Sequence, residues 1–299
     1  MRILLTGAAG QVGGALLPRL QGHGEILAPA RGEFDLSKPA LLADRLDRLK
    51  PDLIINPAAY TAVDRAEDET KLVFSINAEA PSRIAGWAAL HQVPLVHFST
   101  DYVFDGSGDK PWREDSIPSP LSVYGASKLA GDNAIQAANG PRLIVRTSWV
   151  YAAKGANFLR TITRLATERK ELKIVADQIG APTTARVIAN AVMDIISPNL
   201  RDIACPFARD AGIVNVVCAG ETSWHGFATA IVDGLRARGV KLAAEAVAPI
   251  KTQAFPTKAQ RPGNSRLDLS RLKGVYGIVT PSWNDALNVE LDELARELI

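Results

Sequence analysis

Short apolar runs alternate with longer helical patterns through the first half of the chain. The runs are Ile3–Thr6, Ile26–Ala28, Leu53–Asn56, Leu95–Ser99 and Leu143–Arg146, each nearly continuous in apolar character. Continuous runs of this kind are typical of parallel strands covered on both faces. The predicted helices between them are Gln11–Leu20, about Pro39–Leu49, Asn77–His91 and Tyr124–Ala138. Strand–helix–strand repetition implies right-handed crossovers, so we predict an α/β fold with a doubly wound parallel sheet.

The second half of the chain is less regular. We predict helices at Asn157–Lys170, Arg186–Ile196, Trp224–Arg238 and Trp283–Leu298, and short strands at Leu172–Val175 and Ile213–Cys218. A length of 299 residues corresponds to one large or two modest domains. We expect a first domain over residues 1–150 plus roughly 184–220. A smaller C-terminal α/β domain, over 151–183 and 221–299, is expected to bind substrate and to lend some segments back to the sheet.

Three glycines follow the first predicted strand. Gly7, Gly10 and Gly13 form G-x-x-G-x-x-G ahead of an amphipathic helix. Gly7 permits a tight turn, Gly10 removes a Cβ from the path of a pyrophosphate, and Gly13 allows close helix packing. The helix N-terminus, with Gln11 and Val12 in its first turn, presents free N–H groups to phosphates. A plain structural turn is the alternative, but the strand–turn–helix context favours a Rossmann-type dinucleotide-binding domain.

The second predicted strand ends without a carboxylate and is followed by Arg31. An acid at this place would hold the ribose of NAD, whereas an arginine can pair with the 2′-phosphate of NADPH. We therefore expect NADPH to be preferred through Arg31, with NADH left open as a second coenzyme; a solvated loop arginine is the alternative. Asp35 is expected to hydrogen-bond the adenine amino group. The other expected coenzyme contacts are Leu36, Ala58, Ala59 and Tyr60.

Two later motifs carry the chemistry. Ser99-Thr100-Asp101 ends the fourth predicted strand, and Tyr124 and Lys128 lie four residues apart on one helix face. A tyrosine with its ordinary pKa near 10 is a poor acid–base catalyst, and a nearby lysine would lower that pKa. Lys128 could also hydrogen-bond the nicotinamide ribose. Thr100 and Tyr124 would polarise a carbonyl while Tyr124 donates a proton, which predicts a reductase-type active site.

The order of these motifs resembles that of the extended short-chain dehydrogenase/reductases and, within them, the dTDP-4-dehydrorhamnose reductases. The resemblance covers essentially the whole chain. It is carried by the stretches 4–13, 61–67, 99–106, 124–131, 146–151, 177–183 and 261–267. The last three are the more specific ones.

The resemblance implies NADPH-dependent reduction of the C4 ketone of dTDP-4-dehydro-L-rhamnose to dTDP-L-rhamnose, the last step in making that nucleotide sugar. Thr100, Tyr124 and Lys128 would be the catalytic residues. Trp149 would pack on the sugar, with core packing at a domain junction as the alternative. Arg261, with Lys258 or Arg266, could meet the substrate diphosphate, and a solvated basic loop is equally compatible with the sequence. The implied substrate contacts are Val63, Thr100, Asp101, Tyr102, Tyr124, Trp149 and Arg261.

Some members of this family dimerise around magnesium held by glutamates. This chain has Ala15 and Ala185-Arg186 at the corresponding places, and an arginine opposes a hard cation. We therefore expect no metal, and either a monomer or a metal-free homodimer. The four histidines lack metal-ligand spacing, and His97 is expected to be a satisfied residue of a buried strand.

Composition limits the remaining classes. The net charge is +2 with both signs interspersed, which argues against a nucleic-acid-binding protein. No run is long enough to span a membrane, and the first apolar run is too short for a signal peptide. Two cysteines, Cys205 and Cys218, form no disulfide framework, so a cytoplasmic location is expected. Another nucleotide-sugar epimerase or dehydratase, or a non-catalytic regulatory subunit resembling the partner of methionine adenosyltransferase, remains as an alternative function.

Overall fold

The computed structural model describes residues 1–197 and 212–299. Its strands are β1 (Arg2–Leu5), β2 (Glu25–Leu27), β3 (Leu53–Asn56), β4 (Leu95–Thr100), β5 (Arg142–Thr147), β6 (Val150–Tyr151), β7 (Glu171–Val175), β8 (Ile179–Gly180), β9 (Thr183–Thr184), β10 (Gly212–Asn215), β11 (Thr222–Ser223), β12 (Ala246–Ile250) and β13 (Asn264–Ser265).

Helices connect most of these strands. They are α1 (Gln11–Leu20), α2 (Leu42–Leu49), α3 (Val63–Ala66), α4 (Thr70–Phe74), α5 (Ala80–Leu90), α6 (Val123–Ala137), α7 (Phe158–Glu168), α8 (Ala185–Ile196), α9 (Trp224–Ala237), α10 (Ser270–Tyr276) and α11 (Trp283–Leu298). A 3₁₀ turn (Pro39–Leu41) precedes α2, and a π-helical turn (Ser75–Glu79) precedes α5.

A six-stranded parallel sheet in the order β10-β5-β4-β3-β1-β2 forms the centre of the molecule. From β1 the chain adds β2 on one side and then returns to add β3, β4, β5 and β10 on the other side. This reversal is typical of a doubly wound sheet, so the predicted fold class is confirmed. The strand predicted over Ile213–Cys218 pairs with β5 only as far as Asn215. The predicted helix over Asn77–His91 is also corrected, because its first residues belong to the π-helical turn.

Both faces of the sheet are covered, which explains the continuous apolar runs. Ile3 and Leu5 on β1 point into one cluster of buried residues, together with Leu16 of α1 and Ile188 of α8. Leu4, between them, points into a second cluster on the opposite face. Successive side chains of a strand alternate between faces, so a strand buried on both sides needs apolar residues throughout.

A third buried cluster lies away from the large sheet and joins α7, α9 and α11. Phe227 of α9 is fully buried there, against Leu159 of α7 and Leu291 of α11. Strands β7 and β12 form a two-stranded parallel ribbon that packs on α9. By contrast, Leu272 of α10 packs into the cluster that contains Ile3. The domain boundaries expected from the sequence stay a prediction.

No helix within residues 1–197 and 212–299 combines the length and the apolar character needed to cross a lipid bilayer.

Candidate active site

The glycine turn after β1 is built by close backbone contacts. Gly7 has a positive φ of 56°, a conformation that glycine adopts at low cost. A Cβ at Gly13 would stand 2.1 Å from the carbonyl oxygen of Gly7, so only glycine lets α1 approach the turn. Gly10 is the N-cap residue of α1, and no side chain accepts a hydrogen bond from the first turn of this helix. The first N–H groups of α1 are therefore open toward whatever lies above the turn.

One large cavity, of about 1800 Å³, extends from this turn across the carboxyl ends of the sheet strands. Apart from the alternative diphosphate candidates Lys258 and Arg266, every coenzyme, catalytic and substrate residue expected from the sequence lies on its wall. They are Gly7, Gly10, Gln11, Val12, Gly13, Arg31, Asp35, Leu36, Ala58, Ala59, Tyr60, Val63, Thr100, Asp101, Tyr102, Tyr124, Lys128, Trp149 and Arg261. Ligand sites of open α/β sheets are found at this edge, so the cavity is the candidate active site.

The wall beside β2 holds Arg31 and Asp35. Arg31 is exposed, and its charge contributes to lowering the pKa of Asp35. The main cause of that lowering is the Ser37 hydroxyl, which donates to Asp35 Oδ1 over 2.7 Å. Asp35 is therefore an ionised acceptor on the cavity wall.

Thr100 and Tyr124 meet where β4 ends and α6 begins. The backbone N–H of Tyr102 donates to Thr100 Oγ1 over 3.2 Å, which fixes the turn after β4. Ser122 caps α6 by accepting from the N–H of Gly125 over 3.1 Å. Burial raises the pKa of Tyr124 far above its ordinary value, although a hydrogen bond with Thr100 opposes the rise. Tyr124 is consequently a neutral phenol at physiological pH.

This finding corrects the expectation that Lys128 lowers the pKa of Tyr124. The Nζ of Lys128 lies 2.6 Å from the carbonyl oxygen of Phe98 and 3.1 Å from His97 Nε2. It is therefore held on the strand, and the pKa of Tyr124 is governed by its own burial. Burial also lowers the pKa of Lys128 to about 8.

A buried ion pair lies behind Lys128. Asp132, one helical turn further along α6, faces Arg146 of β5 across 3.5 Å, and both side chains are almost completely buried. The hydroxyl of Ser99 donates to Asp132 Oδ2 over 2.7 Å. The charge of Asp132 raises the pKa of Lys128 and so partly offsets the effect of burial.

Asn77 supports the site from the π-helical turn and was not among the expected residues. Its side chain accepts from the N–H of Tyr60 over 2.9 Å and donates to the carbonyl oxygen of Tyr60 over 3.0 Å. It also donates to Ser127 Oγ over 3.0 Å. Asn77 thus ties the loop after β3 to α6. The sequence around it predicts only a helix, because π-helical turns leave no simple pattern of apolar residues.

Asp101 is buried directly beside Thr100. The hydroxyl of Thr100 donates to Asp101 Oδ1 over 3.0 Å. Burial raises the pKa of Asp101 to about 6, against the lowering effect of hydrogen bonds with Ser265 and Thr100. A carboxyl that titrates near neutral pH therefore touches the hydroxyl expected to meet the substrate.

Arg261 is held at the cavity by two partners. Its guanidinium donates to Asp64 over 2.6 Å and to the Tyr102 hydroxyl over 3.1 Å. The other two basic candidates are corrected, because neither lines the cavity: Lys258 pairs with Asp68, and Arg266 pairs with Glu221.

Trp149 lies on the cavity wall in a left-handed backbone conformation, with a φ of 48°. Its ring stacks on that of Trp224, with 3.6 Å between centroids and 11° between planes. A Cβ at Gly180 would come within 2.8 Å of the Trp149 ring. Trp149 therefore both packs between elements and presents surface to the cavity.

Arg186 lies in the first turn of α8. Its guanidinium pairs with Glu290 over 2.9 Å and with Glu293 over 2.8 Å. Both carboxylates therefore share one guanidinium.

Residues 1–296 match the sequence profile of the RmlD substrate binding domain. The chain belongs to this family. One relative of this RmlD chain is the dTDP-4-dehydrorhamnose reductase of Burkholderia thailandensis, with 45% identity over 99% of this chain and 100% of that protein.

Two solved structures share the fold of the RmlD chain. The dTDP-4-dehydrorhamnose reductase of Clostridium acetobutylicum has a TM-score of 0.89 and 34% identity, and the match covers 98% of this chain and 99% of that one. The dTDP-4-dehydrorhamnose reductase of Bacillus anthracis, solved with NADP, has a TM-score of 0.87 and 32% identity over the same shares of the two chains.

Proposed function

We propose that this protein reduces the C4 ketone of dTDP-4-dehydro-L-rhamnose to dTDP-L-rhamnose with NADPH, the last step in making that nucleotide sugar. The observation that carries the proposal is the grouping of Thr100, Tyr124 and Lys128 in one cavity with the glycine turn. The names of the relatives point to the same reaction.

The glycine turn and the wall beside β2 fit a dinucleotide. A Cβ at position 13 would collide with the turn, and the first N–H groups of α1 are free for the diphosphate. Arg31 would pair with the 2′-phosphate, and Asp35 would accept from the adenine amino group. NADPH, when bound, supplies the hydride from C4 of its nicotinamide.

Tyr124 is the proton donor in this proposal. As a buried neutral phenol it can hydrogen-bond the ketone oxygen and pass its proton to that oxygen when the carbon receives hydride. Thr100 would turn its single O–H from Asp101 to the ketone oxygen and so polarise the carbonyl. Lys128, whose side chain lies on the cavity wall, would hold the ribose of the coenzyme.

Three other residues would hold the substrate. Trp149 offers an apolar ring with one polar edge, which suits the face of a deoxysugar. Arg261 would exchange Asp64 for the diphosphate, since a guanidinium matches phosphate oxygens in pairs. Asp101 would hold the Thr100 hydroxyl until the ketone oxygen replaces it as the acceptor. Val63 and Tyr102 complete the proposed contacts.

We also propose the division into a coenzyme domain (1–150 with roughly 184–220) and a substrate domain (151–183 and 221–299). The separate buried cluster around Phe227 supports it. For assembly we propose a monomer or a metal-free homodimer, because Arg186 occupies the carboxylates Glu290 and Glu293. No nucleic acid or membrane is proposed as a partner.

The test is NADPH oxidation by the purified protein in the presence of dTDP-4-dehydro-L-rhamnose. We expect turnover, and we expect Tyr124→Phe to lower kcat by about 10²- to 10⁴-fold while NADPH affinity changes little. A protein that binds NADPH but turns nothing over would favour a regulatory subunit. Tightly bound coenzyme that survives purification, without net NADPH oxidation, would favour an epimerase or dehydratase.

A further inference from the structure

We propose that His97 is a positioning residue for Lys128: its Nε2 accepts one N–H of the ammonium and thereby directs another N–H into the cavity. The proposal rests on the proposed reductase function, in which Lys128 holds the coenzyme. His97 itself does not line the cavity, so it would act only through Lys128.

A buried chain of polar side chains leads from the strand before the glycine turn to Lys128. Thr6 Oγ1 lies 2.6 Å from Asn56 Oδ1, and the other end of the Asn56 amide lies 3.1 Å from His97 Nδ1. His97 Nε2 then lies 3.1 Å from Lys128 Nζ. All four side chains are at least 97% buried. The chain crosses β1, β3 and β4, because Asn56 and His97 are direct neighbours in the register of β3 and β4.

Each N–H of the Lys128 ammonium can be assigned to an acceptor or to the cavity. An ammonium has three N–H donors and no acceptor. The carbonyl oxygen of Phe98 takes one donor and His97 Nε2 takes a second. The third N–H is left for the cavity, on whose wall Lys128 lies. Two fixed acceptors on the strand therefore define the direction of the third donor.

This assignment also fixes the tautomer of His97. A charged Lys128 can only donate, so Nε2 must be free of hydrogen and the proton of the neutral ring must lie on Nδ1. Nδ1–H then needs an acceptor, which the Asn56 amide supplies only when it is turned over, so that its oxygen and not its nitrogen faces His97. An amide has the same shape in both orientations, so its nitrogen then faces Thr6 Oγ1, which can accept. Asn56 would thus lock the ring in the form that receives Lys128.

The charged and titratable groups around Lys128 make this acceptor important near neutral pH. His97 faces it from β4, Asp132 and Tyr124 flank it on α6, and Arg146 of β5 acts through Asp132. Burial keeps His97 uncharged, since it lowers the pKa of the ring well below the ordinary value. His97 can therefore serve as a neutral acceptor near neutral pH.

The first test reads the tautomer directly and does not depend on turnover. The chain has four histidines, and two-bond ¹H–¹⁵N NMR of the full-length protein separates their ring nitrogens. His97→Gln assigns the signal of His97. We expect a neutral ring protonated at Nδ1 from pH 6 to pH 8, with and without NADPH. A ring protonated at Nε2, or a doubly protonated ring, overturns the proposal even if the protein is an active reductase.

The second test is kinetic. His97→Phe keeps a ring of similar size but removes one acceptor of the Lys128 ammonium, which should then lose its proton at lower pH. If loss of that proton sets the fall of kcat/KM at high pH, we expect this fall to move to lower pH by about one unit. We expect NADPH to bind about tenfold more weakly. His97→Gln, whose amide oxygen can accept from Lys128, is expected to restore both.

Val96→Ala is the matched control, because Val96 is a fully buried apolar neighbour on the same strand. We expect it to lower stability without moving the fall of kcat/KM at high pH. An unshifted fall in His97→Phe, or the same shift in Val96→Ala, overturns the proposal. If His97→Phe does not fold, His97→Gln and the tautomer measurement still decide.

Discussion

A Cβ on Gly125 would lie 2.2 Å from the carbonyl oxygen of Tyr102. The first turn of α6 therefore rests directly on the turn that follows β4. Because Tyr124 precedes Gly125 and Thr100 starts the facing turn, this contact sets how close the phenol and the hydroxyl come. Tyr102 also packs edge-on against the Tyr124 ring, with 5.5 Å between centroids.

Gly125→Ala should consequently separate the two catalytic groups. We expect it to lower the free energy of unfolding by about 1–3 kcal/mol through overpacking. We also expect kcat to fall by about 10²-fold, because small misplacements of catalytic groups are costly. Urea denaturation and NADPH oxidation measure the two effects. Gly86→Ala is the control: Gly86 is exposed in α5 with open space around it, so this change should stabilise slightly and leave kcat unchanged. Full activity in Gly125→Ala would contradict the packing argument.

Asp101 should make stability fall as the pH rises. Burial raises the pKa of Asp101 to about 6, above the value near 3.9 of the unfolded chain. The unfolded chain therefore loses this proton first, so the free energy of unfolding falls between about pH 4 and pH 6 and stays lowered above pH 6. Asp101→Asn keeps an acceptor for Thr100 but cannot ionise. As the pH rises from about 4 to about 6, we expect the free energy of unfolding of this variant to exceed that of the unmodified protein by up to about 3 kcal/mol. Urea denaturation at several pH values measures the gain, and parallel pH profiles of the two proteins would refute it.

Arg261→Gln should weaken substrate binding more than it slows the reaction. If Arg261 meets the diphosphate, its loss removes a charge-assisted contact and should raise KM for the dTDP-sugar by roughly 10- to 100-fold at nearly constant kcat. Steady-state kinetics with varied substrate measures this. Arg266→Gln is the matched control, because Arg266 pairs with Glu221 and does not line the cavity. Equal effects of the two changes would remove Arg261 from the proposed substrate contacts.

Arg31→Ala should change the choice of coenzyme. Removing the guanidinium should weaken NADPH binding by about tenfold or more and leave NADH binding almost unchanged. Fluorescence titration with each coenzyme gives the two dissociation constants. Arg48→Ala, on the exposed side of α2, should alter neither. A proportional loss for both coenzymes would indicate that Arg31 does not contact the 2′-phosphate.

A chelator should leave the assembly of the protein unchanged. Arg186 already pairs with Glu290 and Glu293, and its guanidinium would repel a divalent cation placed between them. Sedimentation velocity with and without EDTA should give the same mass. A loss of dimer on chelation would show that a metal holds the subunits together.

The large sheet could be read from the sequence because its strands are buried on both faces. Leu4 and Leu5 point to opposite clusters, and this makes the run continuous and recognisable. The proposed catalytic residues could be placed for a related reason: parallel strands bring their carboxyl ends to one edge, so Thr100 and the glycine turn were expected at the same edge of the sheet. The structure adds the distances between them.

Contacts between residues far apart in the sequence could not be predicted, because no local sequence pattern indicates them. The link between Asn56 and His97 depends on the register of β3 against β4, and Arg261 meets Asp64 across 197 positions of sequence. Strand β12 contains Pro249 and shows little periodicity, so it could be recognised only through its pairing with β7. The expectation of a lowered pKa for Tyr124 was wrong for the same reason. No local pattern shows that the phenol is buried or that Lys128 donates to the carbonyl of Phe98.

The stacked indoles of Trp149 and Trp224 have a spectroscopic consequence. Two nearly parallel chromophores at 3.6 Å couple their excited states, and both border the cavity proposed to hold the sugar. Near-ultraviolet circular dichroism should therefore carry a signature of this pair that changes when the site fills, which gives the protein an intrinsic optical probe of occupancy without any label.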